Sequence, residues 1–335
     1  MQRRSSLFRV SGVAVLMMAG ALFPRAVEAG ECAASVGTVA SLSANLGVEV
    51  REDDLQRLYA GAQGPCLWSE HNAAALVATL GKVGEQGLDP AMFHLKDIAR
   101  LDGSATDKAL RDLLLSDAAL RYARIMTRGQ VDPATVDADI DFDIYPGDVL
   151  PGLKNALNGG DVPAWLASLP PQQPQYAALI GMLARYRALA AQGGWVTMTA
   201  PDASVKPGKA SPLVATLRQR LAAEGYLADA QGGEALTGDV LAALKRFQAQ
   251  HGLDNDGALG KKTVAVLNVS AATRAEQIAL NLERWRQFSR GIPPTRIEVN
   301  TAAATAVLIV DRKPVLRMRT VVGAKKTPTP LVRSD

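Results

Sequence analysis

Apolar residues recur at three- and four-residue spacing from position 35 to position 189, a period that helices satisfy and strands do not. Over 53–59 (Asp-Asp-Leu-Gln-Arg-Leu-Tyr) and 72–80 (Asn-Ala-Ala-Ala-Leu-Val-Ala-Thr-Leu) the apolar side chains gather on one helical face. The same pattern predicts helices over 106–127 and 176–190. Gly87-Leu88-Asp89-Pro90 and Gly129-Gln130-Val131-Asp132-Pro133 interrupt it. This region therefore reads as one helical bundle.

Pro201, Pro207, Gly208 and Pro212 make a linker of 199–210. A second helical unit follows. Leu213, Leu217, Leu221 and Leu227 form one stripe, and Val240, Leu241, Leu244, Phe247 and Gln248 form another. A third short helix is predicted over 260–267. Ile278, Leu282, Trp285 and Phe288 mark an amphipathic connecting helix, which Gly291-Ile292-Pro293-Pro294 ends. The period then changes. Arg-Ile-Glu-Val-Asn, Ala-Val-Leu-Ile-Val-Asp and Pro-Val-Leu-Arg-Met-Arg-Thr-Val-Val-Gly are rich in β-branched residues, with turn-sized gaps between them, and predict three strands within 296–335.

The 335 residues, 48% hydrophobic and 21% charged, suffice for two or three cores. A net charge of +4 is spread among acidic residues without a basic block, so nucleic acid is not an expected partner. Arg3, Arg4 and Arg9 precede an apolar run over 10–23, and Val27-Glu28-Ala29 suits cleavage of a secretory signal peptide. Export is expected, with no membrane span after cleavage. In an oxidising compartment the two cysteines, Cys32 and Cys66, become disulfide candidates. The alternative is a reactive thiol at Cys66 activated by His71.

Several chemistries lack their signatures. Asp137, Asp139, Asp141 and Asp143 alternate, but no register supplies the Gly and Glu of an EF-hand loop. Gly260-Lys261-Lys262-Thr263 falls short of a phosphate loop. His71, His94 and His251 have no zinc-ligand spacing, and no Gly-x-Ser-x-Gly elbow occurs. No metal or cofactor is expected. Trp68, Trp165, Trp195 and Trp285 read as packing residues more readily than as glycan platforms.

Residues 247–263, Phe-Gln-Ala-Gln-His-Gly-Leu-Asp-Asn-Asp-Gly-Ala-Leu-Gly-Lys-Lys-Thr, closely resemble the peptidoglycan-binding domain, a three-helix module. Its hallmark positions here are Phe247, Gln248, Gly252, Leu253, Asp256, Gly257, Gly260 and Thr263. Phe247 is expected to plug the core, Gly252 to end a helix with positive φ, and Asp256-Gly257 to turn into the last helix. Gly87-Leu88-Asp89-Pro90, Leu120-Arg121-Tyr122, Gly129 to Pro133, Gly193-Gly194-Trp195, the run from Ile278 to Arg286, Val321-Val322-Gly323 and Thr329-Pro330 resemble the large periplasmic murein L,D-transpeptidases.

That resemblance implies a mainly α chain. Its expected divisions are a signal peptide (1–29), a helical scaffold domain (30–198), a linker (199–210), a peptidoglycan-binding domain (211–268), a connecting helix (269–294) and the first strands of an incomplete β-rich catalytic domain (295–335). Full-length relatives form 3→3 crosslinks by cysteine acyl transfer, which needs a thiolate, a histidine and an oxyanion site. The family places these in a His…Ser-x-Gly-Cys-x-Arg segment downstream of the position matching Thr329-Pro330, so this chain offers no catalytic residue and is expected to be inactive alone. The expected partner is peptidoglycan. A non-catalytic murein-binding scaffold protein is the competing reading, and a wall amidase sharing only the binding module is a weaker third.

Overall fold

The computed structural model describes residues 51–60, 66–101, 105–132, 135, 147–288, 292–301 and 303–323. The expected signal peptide, Cys32 and the alternating aspartates from Asp137 to Asp143 lie outside the described residues. The described chain is mainly helical, with a small three-stranded antiparallel sheet near its C-terminal end. No helix among the described residues is long and apolar enough to cross a membrane.

The first bundle contains α1 (Glu52–Tyr59), α2 (Glu70–Leu80), α3 (Leu95–Arg100), α4 (Ala105–Arg128), α5 (Leu150–Leu157) and α6 (Val162–Ser168). Two 3₁₀ turns, Val83–Gln86 and Pro90–Phe93, lie between α2 and α3. Every residue from Asp112 to Leu120 is buried, so α4 is surrounded rather than amphipathic and forms the bundle's axis. Leu55, Leu76, Leu80, Phe93, Leu153 and Leu166 pack toward it. Ser69 begins α2 by accepting the Asn72 N–H at 3.2 Å, and Asp161 begins α6 by accepting the Ala164 N–H at 2.9 Å. These caps explain why α2 starts earlier than its apolar pattern predicts. Short helices α3, α5 and α6 escape the sequence reading because fewer than three turns establish little period.

The buried carboxylates and hydroxyls of α4 have partners. Asp112 accepts from the Trp68 N–H at 2.9 Å and from the Tyr59 hydroxyl at 2.5 Å, while Ser116 receives Trp68 Nε1 at 2.9 Å. Asp117 binds His94 Nε2 at 2.8 Å, Arg121 at 3.1 Å and the Arg51 N–H at 3.0 Å. Trp68 is thus a packing residue, buried and hydrogen-bonded.

Two long helices, α7 (Pro174–Ala191) and α11 (Ala271–Phe288), pack side by side although about eighty residues separate them. Tyr176, Leu183 and Tyr186 of α7 meet Ala275, Ile278 and Leu282 of α11. The segment expected to be a mere connecting helix is therefore a core element. Its Arg286 is only 1% exposed; it donates to the Tyr176 hydroxyl at 3.1 Å, pairs with Glu283 and reaches the Gln86 carbonyl.

Between them lies a compact three-helix unit, α8 (Leu213–Ala223), α9 (Gly238–Gln250) and α10 (Lys261–Leu267). Val214, Leu217, Leu221, Val240, Leu244, Phe247, Leu259, Val264 and Leu267 form its core. Arg218 grips Asp239 with two nitrogens, at 3.1 and 2.9 Å, and fastens α8 to α9.

The expected linker has no helix or strand, as its prolines require, yet it is not free. Met198 is buried in the three-helix core, Val205 pairs with Leu259, and Ala210 pairs with Ala235. The connection wraps the unit as a strap.

Strands β1 (Arg296–Asn300), β2 (Thr305–Val310) and β3 (Lys313–Arg319) follow in sequence order, with Glu298 opposite Val307 and Val307 opposite Arg317. Asp311 and Arg312 both have positive φ, the geometry that a tight hairpin between twisted strands favours. Ile297, Val299, Val315, Leu316 and Met318 are exposed on this sheet.

Candidate functional site

The turn between α9 and α10 is organised by one buried amide. Gln248, 1% exposed, accepts the Gly257 N–H through Oε1 at 2.9 Å. Its Nε2 donates to the Ala258 carbonyl at 3.0 Å and lies 3.3 Å from both Thr263 Oγ1 and Asp256 Oδ1. A helix side chain thus replaces the backbone partners that an irregular loop lacks. Asp256 then accepts the Ala258 N–H at 2.8 Å, closing the turn.

Two glycines in this turn are fixed by geometry. Gly257 has φ +74, and a Cβ there would come within 2.9 Å of Lys245 Cε. Gly260 would place a Cβ 2.7 Å from Ser204 Oγ, so only glycine lets the strap cross so closely. Gly252 has φ +67 where α9 ends, as expected, and the Leu253 N–H returns to the Gln248 carbonyl at 2.9 Å. Phe247 is fully buried, its ring 5.3 Å from Tyr226 and 4.2 Å from the His251 ring. Burial and then the charge of Arg274 hold the His251 imidazole below its ordinary pKa, so it packs uncharged at neutral pH.

Strap and turn together frame an open groove of about 590 Å³. Gln248, Ala258 and Thr263 lie in its buried part, while exposed Lys206, Lys261 and Lys262 share the rim with Asp202, Asp254 and Asp256. Six of the eight hallmark residues, Gln248, Gly252, Leu253, Asp256, Gly260 and Thr263, line the groove, while Phe247 and Gly257 lie outside its lining. Sequence reading missed the strap's share, Asp202, Ser204 and Lys206. The available signal was Pro201 and Pro207, which hold such a segment extended.

A second cluster joins this unit to α7. Arg220, wholly buried, donates Nε to the Leu267 carbonyl at 2.7 Å and lies 3.6 Å above the Trp195 ring. Its Nη1 stands 2.8 Å from Glu224 Oε2, close enough for an ion pair although not aligned as a hydrogen bond. Glu224 also accepts the Tyr186 hydroxyl at 2.5 Å, and its carbonyl accepts Arg185 at 2.6 Å. Trp195 is therefore part of a joint, consistent with a packing role.

The remaining residues singled out from the sequence do not converge. His71 is exposed, His94 pairs with Asp117 and His251 packs beside Phe247. Cys66 is disulfide-bonded, which removes the reactive-thiol reading; Cys32 lies outside the described residues. Among the described residues no group of His, Cys, Asp and Glu is placed to hold a metal ion.

The described residues thus form a strapped three-helix unit with a polar groove, carried on a helical frame. Family models agree: residues 53–183 match the family described as "Scaffold domain" and residues 210–267 the one described as "Putative peptidoglycan binding domain". These are matches to the L,D-transpeptidase scaffold domain and the peptidoglycan-binding domain, in agreement with the family resemblance read from the sequence. No curated protein matches the chain significantly.

Proposed function

We propose that this is an exported, periplasmic wall protein of the L,D-transpeptidase family, and that it holds peptidoglycan in the groove between the strap and the α9–α10 turn. The observation that carries this reading is the rim, which combines three exposed ammonium groups with three exposed carboxylates over a buried, hydrogen-bonded floor. Murein stem peptides present both free amines and free carboxylates, so a mixed rim can pair with either end. The hallmark residues build the groove, and the exposed charged residues contact the ligand.

Crosslinking by cysteine acyl transfer belongs to full-length relatives. Within these 335 residues the cysteines are Cys32 and Cys66, and Cys66 is disulfide-bonded, so these residues by themselves are proposed to bind and position murein without forming 3→3 crosslinks.

Retention on purified sacculi tests the reading. Wild-type chain should sediment with sacculi, and Lys261→Glu/Lys262→Glu should fall to background while keeping its circular dichroism melt. Undiminished retention of a folded double variant removes the groove from consideration. Incubating the chain with tetrapeptide-bearing sacculi should yield no 3→3 dimers by chromatography; their appearance would overturn the inactivity.

A further inference from the structure

Four arginines line a cavity of about 420 Å³ at the C-terminal end of α4. Arg121, Arg124 and Arg128 stand at intervals of three and four on one face of that helix, and Arg51 faces them from the chain before α1. Met92 and Ile125 supply an apolar floor, and the backbone of 129–132 forms the far wall. The volume lies within the range of small-molecule sites.

The wall is held in place from a distance. Glu283 of α11 accepts the Gln130 and Val131 N–H groups, and Gln287 Nε2 donates to the Val131 carbonyl at 2.8 Å. Gly129, at φ +79, admits this approach; a Cβ would sit 2.7 Å from Gln287 Cγ. A cavity whose wall is tied to a second long helix is organised before any ligand arrives.

Carboxylates near the cavity are already shared. Asp54 serves Arg51 at 3.3 Å, Arg57 at 3.6 Å and Arg124; Asp117 serves His94, Arg121 and the Arg51 N–H. Asp132, which is also engaged with a partner, is the one further acid among the described lining residues. After these pairings Arg124 Nη1 is buried with no acceptor, and Arg128 makes no ion pair among the described residues. Burial and, against the pull of Asp54, the charges of Arg51 and Arg128 hold the Arg124 guanidinium below its ordinary pKa. An oxyanion would satisfy the unused donors and offset the crowding of like charges.

We propose that this arginine-lined cavity is an anion-binding site that takes a carboxylate or phosphate group. It is separate from the murein groove and does not depend on the reading of that groove. Carboxylates of a stem peptide and phosphate esters of the envelope share this chemistry, and the experiment below separates them.

Isothermal titration of the full chain in the Lys261→Glu/Lys262→Glu background, which disables the groove, would use two probes: inorganic phosphate and a disaccharide-tetrapeptide. Binding of either is expected, and binding of one alone identifies the source as phosphate or carboxylate. Arg128→Glu places a competing carboxylate at the mouth and should weaken binding about tenfold or more, as loss of a charge-assisted hydrogen bond does. Arg124→Lys, which keeps the charge and loses the fork, is the second variant and should weaken binding with its melt retained. The proposal is overturned if the parent binds neither probe, or if folded Arg128→Glu and Arg124→Lys bind as tightly as the parent. Because the titration is run with the groove disabled, its outcome is separate from success or failure of the groove.

Discussion

At residue scale, hallmark positions of the binding unit hold its α9–α10 turn together. Gln248 belongs to the motif because it completes the α9–α10 turn with its amide. Gln248→Ala would leave the buried Gly257 N–H and Ala258 carbonyl without that partner and should destabilise the unit by about 2–3 kcal/mol, read from its urea midpoint. Asp117 makes a pH-dependent prediction. Burial pushes its carboxyl up, but hydrogen bonds from His94 and the Arg51 N–H, with the charge of Arg121, outweigh this and hold it below the usual value. A depressed native pKa contributes stability above the unfolded value and loses it as pH falls through the native one. Asp117→Asn should therefore cost about 3 kcal/mol at pH 7, and the gap to wild type should close as pH drops below 3.8 in denaturation curves. Phe247, Gly252 and Gly257 were legible in the sequence because core plugs and positive φ leave local signatures. Arg124 was not, since its meaning comes from Asp54, seventy residues away.

Element scale shows where period alone stops. Apolar spacing placed the long helices α4, α7 and α11 and the three strands, and it placed the three helices of the binding unit. It could not show that α11 packs on α7, because a 3.6-residue stripe states that a face is buried and not against what. The strap illustrates the same limit: proline content excluded helix over 199–210, while the hydrogen bonds that tie it down depend on Leu259 and Leu236. Met198 is buried in the unit's core, and its backbone is held by Asn268 at 2.9 and 2.8 Å. A fragment beginning at residue 211 should consequently be about 2–4 kcal/mol less stable than one beginning at 196, from lost apolar burial and the lost hydrogen bonds of Met198, Val205, Gly208 and Lys209, in paired urea titrations. The disulfide at Cys66 is proposed to join Cys32; non-reducing peptide mapping should recover the two in one linked fragment, and a Cys66 found without Cys32 would rule the pairing out.

For the whole molecule, the joint between the binding unit and the frame matters most. Arg220, Glu224, Trp195 and Tyr186 are charged or aromatic groups gathered where two helical units touch. Glu224→Gln weakens the compensation of a fully buried guanidinium, at a cost of about 3 kcal/mol. The variant should expose the connection 192–197 to limited proteolysis while α4 and its bundle keep their melt. No sequence period announces such a joint; its residues come from α7, the strap's approach and α8, and only folding brings them together.

Under the proposed binding mode the joint would also set the entropy of wall capture. With the groove fastened to the frame instead of hung from a loose tether, a strand of murein engaged in the groove would bring its neighbouring groups past the frame at a fixed reach. A second weak contact on the frame would then act at high local concentration, and two modest affinities would multiply rather than add. Loosening Arg220 from Glu224 would leave each contact intact and lower the avidity.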